Sequence, residues 1–315
     1  MLQDKLIISQ TCPGTTRSER DFIIKQLKGF VLAGSNTQIR IGTSSFSSKD
    51  WVGPFYPEDL KPSDFLKYYS QQFDTVEIDA TYYRVPAKKT VESWAYSIPG
   101  DFLVSAKFPR AIVHAGQKAT PDGDKLLVPD VTYPVRDAFL EAVSRLDKNL
   151  GSLILQFPYL SQKVFADKQV FFERLERFLD DLPDGFSYGV EIRNRHWLTS
   201  AYAEMLRARQ VALVMADQAW MPHGDELAEK LDPVTSDHTY IRLIGDRREI
   251  EAITKTWEKE VLDRDDRLRR WAGMIARMFR RQVDALVYVN NHYAGHAPAT
   301  ARRLNDMIRA EFSRS

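Results

Sequence analysis

The sequence predicts an α/β protein with a (β/α)₈ TIM-barrel fold and an N-terminal helical extension. Eight short segments rich in β-branched and aliphatic residues alternate with segments of helical periodicity. This alternation favours parallel strands joined by right-handed crossovers, and eight repeats in about 280 residues match the size of a TIM barrel. A doubly wound open sheet is the main alternative, but no Gly-x-Gly-x-x-Gly motif follows any predicted strand. The barrel is therefore the preferred fold.

The elements follow one another in a regular order. The predicted strands are Ile39–Ser44, Thr75–Asp79, Leu103–Lys107, Leu153–Gln156, Tyr188–Glu191, Ala212–Ala216, Thr239–Leu243 and Ala285–Val289. Apolar residues at helical spacing, such as Phe139, Ala142, Val143 and Leu146, predict helices whose buried faces cover the barrel. Further stripes of this kind are Phe171, Leu175, Phe178, Leu179 and Leu182, and also Leu268, Trp271, Ala272 and Ile275.

The chain is expected to hold one barrel domain, residues 38–315. Residues 1–37 form the predicted extension, with a helix from Ser18 to about Leu32 that packs on the barrel. Residues 115–134 are rich in Gly, Pro, Asp and Thr, and so long a loop is often functional. We interpret this segment either as a lid over the mouth or as an ordered surface excursion.

Composition excludes several classes of protein. Lys and Arg number 44 and Asp and Glu 43, so any binding of polyanions depends on a local patch. The single cysteine, Cys12, rules out an internal disulfide framework and suits a reducing compartment. No apolar run approaches the length that spans a bilayer, and the first residues do not form a signal peptide. We therefore expect a cytoplasmic protein without a membrane partner.

Polar residues occupy the carboxyl ends of the predicted strands, where TIM barrels carry their chemistry. In the strand Thr75–Asp79, Val76 and Ile78 share one face, which should meet the helices, so Glu77 should point into the barrel together with Asp79. The same alternation directs a ring of further polar side chains inward: Ser105, Lys107, Gln156, Glu191, Arg193 and Arg242. Such a ring is either a structural ion-pair network or a site that brackets a polar ligand.

Aromatic residues in the loops after these strands predict a stacking wall for a sugar or a base. Trp51 follows the first strand, Tyr83 the second, Trp197 the fifth and Trp220 the sixth, while Asp217 ends the sixth strand and Asn290 the eighth. The expected ligand-binding residues are therefore Trp51, Tyr83, Gln156, Arg193, Trp197, Asp217, Arg242 and Asn290.

The preferred function is binding of a phosphate-bearing ligand, such as a nucleotide, nucleic acid or phosphosugar, with hydrolysis of its phosphoester as the potential reaction. Lys107, Arg193 and Arg242 would neutralise phosphate, and Glu77 or Glu191 would act as general base. The expected catalytic residues are Glu77, Lys107 and Glu191. A sugar-acting enzyme and a non-catalytic barrel that binds a ligand or partner are the alternatives.

No cofactor is predicted. The strand ends supply no histidines for a metal cluster, although Glu191 and Asp217 could hold one hard divalent cation through oxygen ligands. The arginine-rich helix between Arg264 and Arg281 is expected to be a solvated outer helix, with nucleic-acid binding as its alternative.

Several segments resemble the YecE-like family, domain of unknown function 72. They include Gly42-Thr43-Ser44, Thr75 to Arg84, Lys107-Phe108-Pro109-Arg110, Glu191-Ile192-Arg193 and Asn290-Asn291. The resemblance runs from about Ile39 to Arg303 and implies a TIM barrel, but no established activity. Two positions depart from the family pattern. Ile244 stands where many members have histidine, and Asp79 is often asparagine, so this mouth carries an additional negative charge.

Overall fold

A computed structural model of the chain describes residues 37–116 and 119–313. Eight parallel strands form one sheet in the order β1-β8-β7-β6-β5-β4-β3-β2. Between β1 and β2 the ring closes through a bridge from Ser44 to Glu77, where the Ser45 N–H donates to the Glu77 carbonyl over 2.7 Å. The predicted TIM barrel is therefore confirmed. Its strands are β1 Ile39–Thr43, β2 Thr75–Ile78, β3 Leu103–Lys107, β4 Leu150–Gln156, β5 Tyr188–Glu191, β6 Ala212–Asp217, β7 His238–Leu243 and β8 Asp284–Val289.

Helices connect the strands and surround them. They are α1 Phe65–Gln72, α2 Ala80–Tyr83, α3 Lys88–Ser97, α4 Arg110–Val113, α5 Pro129–Val143, α6 Lys168–Asp180, α7 Ser200–Arg207, α8 Gly224–Ala228, α9 Arg247–Glu251, α10 Asp265–Arg280, α11 Asn291–Ala294 and α12 Ala297–Ser313. Short 3₁₀ turns cover Lys49–Trp51, Pro62–Asp64, Ser144–Asn149 and Arg195–Trp197. Among the described residues, every helix is too short or too polar to cross a lipid bilayer.

The predicted apolar stripes lie between helices and barrel. Phe139, Ala142 and Val143 of α5 are buried, as are Leu268, Trp271, Ala272 and Ile275 of α10. Such burial is the main source of stability for amphipathic helices. The strand boundaries differ from the prediction mainly at β4, which begins at Leu150 rather than Leu153. Gly151 has no side chain and Ser152 has a small polar one, so the residue types there do not predict a strand. Pairing with β3 extends β4 to Leu150.

Glycine is required where β1 approaches β2. A Cβ atom at Gly42 would lie 2.0 Å from the carbonyl oxygen of Thr75, far inside van der Waals contact. The missing side chain therefore allows the two strands that close the barrel to come together.

The segment 115–134 is shorter as a loop than predicted, because Pro129 onward belongs to α5. Leu126 and Leu127 are buried, and Arg174 of α6 donates to the Gly123 carbonyl over 2.6 Å. These contacts favour the ordered surface excursion over the lid. The predicted N-terminal extension, with its helix from Ser18 to about Leu32, lies outside the described residues apart from Thr37.

Candidate functional site

The interior of the barrel contains two polar layers. In the lower layer the Tyr288 hydroxyl lies 2.6 Å from Thr75 Oγ1 and 2.8 Å from Ser105 Oγ. In the upper layer, toward the carboxyl ends of the strands, the Tyr240 hydroxyl donates to Glu77 Oε2 over 2.8 Å. Contacts between β2 and β7 across the barrel require both side chains to point inward. The predicted alternation of β2 is therefore confirmed.

Arg242 is the centre of the upper layer. Its Nε and Nη2 donate to the two carboxylate oxygens of Glu77 over 2.8 and 2.9 Å. Its Nη1 donates to Gln156 Oε1 over 2.8 Å and to Glu191 Oε2 over 2.5 Å. Lys107 and Arg193 complete the group, so we call the following residues the charged floor: Glu77, Lys107, Gln156, Glu191, Arg193 and Arg242.

The two glutamates of the floor are held as carboxylates. Burial alone would raise the pKa of Glu77, but Arg242, Lys107 and hydrogen bonds from Arg242 and Tyr240 lower it from 4.5 to about 2. Burial likewise opposes ionisation of Glu191, but the charges of Arg242 and Arg193 lower its pKa below the usual value. A general base is most effective when its pKa lies near the working pH. In this structure Glu77 and Glu191 are the counter-ions of Arg242.

Lys107 joins the floor to a carboxylate that reaches the surface. Its Nζ lies 3.4 Å from Glu77 Oε1 and forms a second ion pair with Asp79. The Lys107 side chain is 8% exposed, whereas that of Asp79 is 32% exposed. Asp79, which the strand pattern directed inward, is therefore the most accessible carboxylate paired to the floor.

Arg193 is the cation of the floor that faces outward. Its Nε donates to Glu191 Oε1 over 2.8 Å, and its side chain is 21% exposed. Its two Nη groups donate to no acceptor in the part of the chain that the structure describes. Because Arg242 fixes the other oxygen of Glu191, the Arg193 guanidinium is held in one orientation with its outer edge free.

Arg242, in contrast, is buried and directs its guanidinium at the floor. It is 2% exposed and all three of its nitrogens donate to side chains of the floor. Four of its five N–H groups donate to Glu77, Gln156 and Glu191, so Arg242 positions the two glutamates and its predicted role as a direct phosphate contact has little support.

Trp51 also differs from the prediction. Its ring is 1% exposed and packs at 5.8 and 6.2 Å, between centroids, from Phe55 and Tyr56. Its indole N–H donates to Asn291 Oδ1 over 3.2 Å. The loop after β1 folds back on the helices, so Trp51 presents no free face for a ligand to stack on.

Asp217 lies outside the charged floor, in a pocket of its own. Its carboxylate accepts hydrogen bonds from Trp271 over 2.8 Å, from Tyr293 over 2.9 Å and from Arg267. These donors anchor α10 and α11 to the end of β6. The carboxylate is already neutralised by Arg267, as Glu191 is by its two arginines, so this arrangement does not favour the predicted shared cation. Within residues 37–116 and 119–313, no cluster of three or more His, Cys, Asp or Glu side chains forms a metal site.

Two further predicted residues occupy the rim of the mouth. Asn290 caps α11, and its Oδ1 accepts from the His292 N–H over 3.0 Å and lies 2.7 Å from His292 Nδ1. Because Asn290 Oδ1 is engaged in the helix cap, fewer of the hydrogen-bonding groups of Asn290 are available to a ligand. Tyr83 is 78% exposed and makes an edge contact with Tyr82.

A large cleft opens beside the charged floor, and Arg193 belongs to both. The cleft has a volume of about 1050 Å³ and lies between the loops that follow β4, β5 and β6. We call it the aromatic cleft and define it by the following lining residues: Tyr159, Lys163, Lys168, Arg193, Trp197 and Trp220. Of these, Arg193 and Trp197 were predicted as ligand-binding residues, and Trp220 as an aromatic residue of the stacking wall.

Sequence reasoning missed other members of the site for different reasons. Tyr240 lies two residues before Arg242, so the alternation that found Arg242 also carried the signal for Tyr240. Ser44, whose hydroxyl donates to Glu77 Oε1 over 2.9 Å, ends the first predicted strand. Lys163 lies in the loop after β4 and Lys168 begins α6, and no periodic pattern in the sequence marks either as a site residue.

Eight parallel strands in a closed barrel, with helices around them, define this protein as a TIM barrel. Residues 40–315 match the family model described as "Protein of unknown function DUF72". The chain therefore belongs to the DUF72 family, which confirms the YecE-like resemblance.

Similar proteins support the same assignment. UPF0759 protein YecE of Escherichia coli K12 is 29% identical over 198 residues, or 57% of this chain and 66% of YecE, just under two thirds of its length. UPF0759 protein YunF of Bacillus subtilis is 22% identical over 87% of this chain and 96% of YunF. A crystal structure of a DUF72 family protein from Thermotoga maritima, 26% identical, superposes with a TM-score of 0.64 over 86% of this chain and 99% of that one. A DUF72 structure from Enterococcus faecalis, 19% identical, shows the same fold with a TM-score of 0.61 over 86% and 95%.

Proposed function

We propose that this protein binds a phosphate-bearing ligand, such as a nucleotide or phosphosugar, at the mouth of the barrel, with Arg193 as its principal phosphate contact. The observation that carries the proposal is the free outer edge of the Arg193 guanidinium, which lines the aromatic cleft. A planar guanidinium offers two parallel N–H groups, the geometry that recognises phosphate oxygens.

The orientation of Arg193 is set before a ligand binds. Glu191 holds Nε, and Arg242 holds Glu191, so the chain of contacts runs from the exposed guanidinium to the fully buried centre of the floor. A contact that is already oriented loses less side-chain entropy on binding. Lys107 is the second proposed phosphate contact. A phosphate oxygen could replace the partly exposed carboxylate of Asp79 as the partner of its ammonium group.

The charge balance of the floor favours binding over acid–base catalysis. Its three cations, Lys107, Arg193 and Arg242, face Glu77, Glu191 and the adjoining Asp79, so the pairs neutralise one another. The lowered pKa of Glu77 makes it a weak base at neutral pH. Hydrolysis of the phosphoester through Glu77 or Glu191 therefore has less support than retention of the ligand, and the proposal extends to a non-catalytic barrel.

A sugar hydrolase has the least support. Glu77 and Glu191 both bind the same guanidinium, whereas a glycosidase needs two carboxyl groups that flank a glycosidic bond. The cytoplasmic location remains part of the proposal, supported by the single cysteine of the sequence.

Calorimetric titration tests the proposal directly. Wild-type protein and Arg193→Gln are titrated with inorganic phosphate, adenosine monophosphate and glucose 6-phosphate, and with adenosine and glucose as uncharged counterparts. We expect a phosphorylated compound to bind wild type and to lose about tenfold or more in affinity with Arg193→Gln, the cost of a charge-assisted hydrogen bond. Arg177→Gln, an exposed arginine of α6 outside the site, is the matched control.

The contrary result is equally clear. Equal affinity for the phosphorylated and uncharged compounds, or an Arg193→Gln variant that binds like wild type, would refute a phosphate contact at Arg193. Recovery of the ligand after long incubation separates the two forms of the proposal, because released inorganic phosphate shows hydrolysis and intact ligand shows binding alone.

A further inference from the structure

The aromatic cleft has more room and more charge than a single nucleotide needs. Its volume of about 1050 Å³ lies at the upper end of the range found for sites that enclose one small ligand. It is also open to solvent rather than enclosed, so it does not confine a ligand to the size of a nucleotide.

Positive charge collects in this cleft although the whole chain is nearly neutral. Lys163, Lys168, Arg193 and Arg195 line it together with His196, and Asp167 is the one acidic residue in the lining. Within the described residues, Lys163, Lys168 and Arg195 form no ion pair with a carboxylate.

The arginine-rich helix α10 provides a contrast. Most of the arginines in and beside it are neutralised by neighbouring carboxylates. The pairs are Arg267–Asp217, Arg269–Asp265 and Arg270–Asp225 within the helix, and Arg264–Glu249 and Arg281–Asp232 at its two ends. The predicted alternative of nucleic-acid binding on that helix therefore has little support, and the unpaired cations of the cleft are the stronger anion site.

Aromatic faces are interleaved with these cations. Tyr159 is 60% exposed and Trp220 is 48% exposed, so both rings offer surface on which a flat group can stack. Trp197 packs on Phe171 and Phe172, with ring centroids 5.3 and 5.5 Å apart, and this support fixes the ring where it borders the cleft.

The walls of the cleft are tied to each other. The side-chain amide of Asn194, after β5, accepts from the Leu160 N–H over 2.9 Å and donates to the Leu160 carbonyl over 2.8 Å. This pair of hydrogen bonds joins the loop that carries Tyr159 and Lys163 to the loop that carries Arg193 and Trp197. The wall that carries Tyr159 is therefore held beside the wall that carries Trp197.

We infer that the aromatic cleft binds single-stranded nucleic acid, with bases stacked on Trp220 and Tyr159 and the phosphate backbone along Lys163, Lys168, Arg193 and Arg195. Unpaired bases offer the flat faces that exposed aromatic rings bind without regard to sequence, and the cations follow the backbone. A base-paired duplex hides those faces, and an acidic peptide has none. The inference rests on the proposed function, because Arg193 contacts phosphate in both.

Fluorescence anisotropy with a labelled oligothymidylate tests this inference. If four cations each meet one phosphate, a fourfold rise in salt should weaken binding by about 50-fold. Trp220→Ala should lower affinity by about tenfold, the cost of losing one stacked base. Lys163→Ala combined with Lys168→Ala should flatten the slope of log affinity against log salt by about 1.4.

The matched controls come from α3, which does not line the cleft. Lys89→Ala and Tyr96→Ala remove one exposed cation and one exposed aromatic ring, and both should leave affinity and salt slope unchanged. The substituted lysines and Tyr96 are exposed and Trp220 is about half exposed, so thermal melting should confirm that each variant is folded.

The outcomes distinguish this inference from the proposed function. Loss of oligothymidylate binding in the cleft variants, with adenosine monophosphate binding kept, supports the inference. Binding that is indifferent to Trp220→Ala, or equal binding of the matching duplex or of a labelled polyglutamate peptide, overturns it and leaves the phosphate site at Arg193 standing. If adenosine monophosphate fails to bind but oligothymidylate binds and is lost in the cleft variants, the proposed small-ligand function fails and the cleft assignment survives.

Discussion

Arg242 is the residue whose removal should disturb the charged floor most. Arg242→Met keeps much of the aliphatic length but leaves Glu77 and Glu191 without the guanidinium that both of them share. Breaking a buried ion pair from one side leaves a buried charge and costs about 3–5 kcal/mol. The same scale follows independently from Glu77, because lowering its pKa from 4.5 to about 2 corresponds to about 3 kcal/mol of stability at neutral pH.

The loss of stability in Arg242→Met should depend on pH, and the pKa of Glu77 determines the direction of that dependence. In the wild type the folded-state pKa of Glu77 is depressed, so its contribution is complete above the unfolded pKa of about 4.5 and is lost as the pH falls toward about 2. In Arg242→Met burial dominates and raises the pKa of the buried carboxylates. Their ionisation then costs stability, so the deficit of the variant should be largest near neutral pH and smaller near pH 4.

Urea unfolding followed by tryptophan fluorescence, at several pH values, measures this deficit. Arg281→Met is the control, because its guanidinium pairs with Asp232 at the surface and should contribute at most about 1 kcal/mol. If Arg242→Met is too unstable to study alone, adding Glu77→Gln and Glu191→Gln should restore much of the stability by removing the orphaned charges. A deficit below about 1 kcal/mol for Arg242→Met, or one that does not change with pH, would show that the floor is not held by this network.

Three further predictions concern positions that hold the barrel and its cleft together. Gly42→Ala should lower the free energy of unfolding by about 3 kcal/mol, because its Cβ would meet the Thr75 carbonyl at 2.0 Å; an unchanged urea midpoint would contradict the close approach of β1 and β2. Tyr293→Phe should cost about 1.5 kcal/mol by removing the hydroxyl that donates to Asp217 over 2.9 Å, and a variant as stable as wild type in urea would show that the remaining donors compensate. Asn194→Ala should cost about 2 kcal/mol and accelerate amide hydrogen exchange in the loop after β4, so unchanged exchange there would mean that other contacts fix the cleft wall.

Much of the barrel could be predicted from the sequence, because its elements follow local periodicities. The inward position of Glu77 follows from a period of two residues in β2, and the buried stripe of α10 follows from helical spacing. Each strand or helix places apolar residues on the side that meets the core. The order of polar and apolar residues along the chain therefore indicates which side that is.

The pairing inside the site could not be predicted in the same way. Alternation predicts that Arg242 points into the barrel. Whether its guanidinium faces a ligand or donates to Glu77, Gln156 and Glu191 depends on distances across the barrel. Trp51 illustrates a second limit. A tryptophan after a strand can border the mouth or fold back into the core, and in the loop after β1 the packing with Phe55 and Tyr56 decides for the core.

The double hydrogen bond between Asn194 and Leu160 has a consequence for how the cleft can respond to a ligand. Two connecting loops that are joined backbone to side chain move as one body, so the cleft has few alternative shapes among which a ligand must select. A flexible loop would lose conformational entropy when the ligand binds, whereas these two loops have lost it when the barrel folds. Association should then behave as docking to a rigid surface, with a rate set by electrostatic encounter rather than by loop closure.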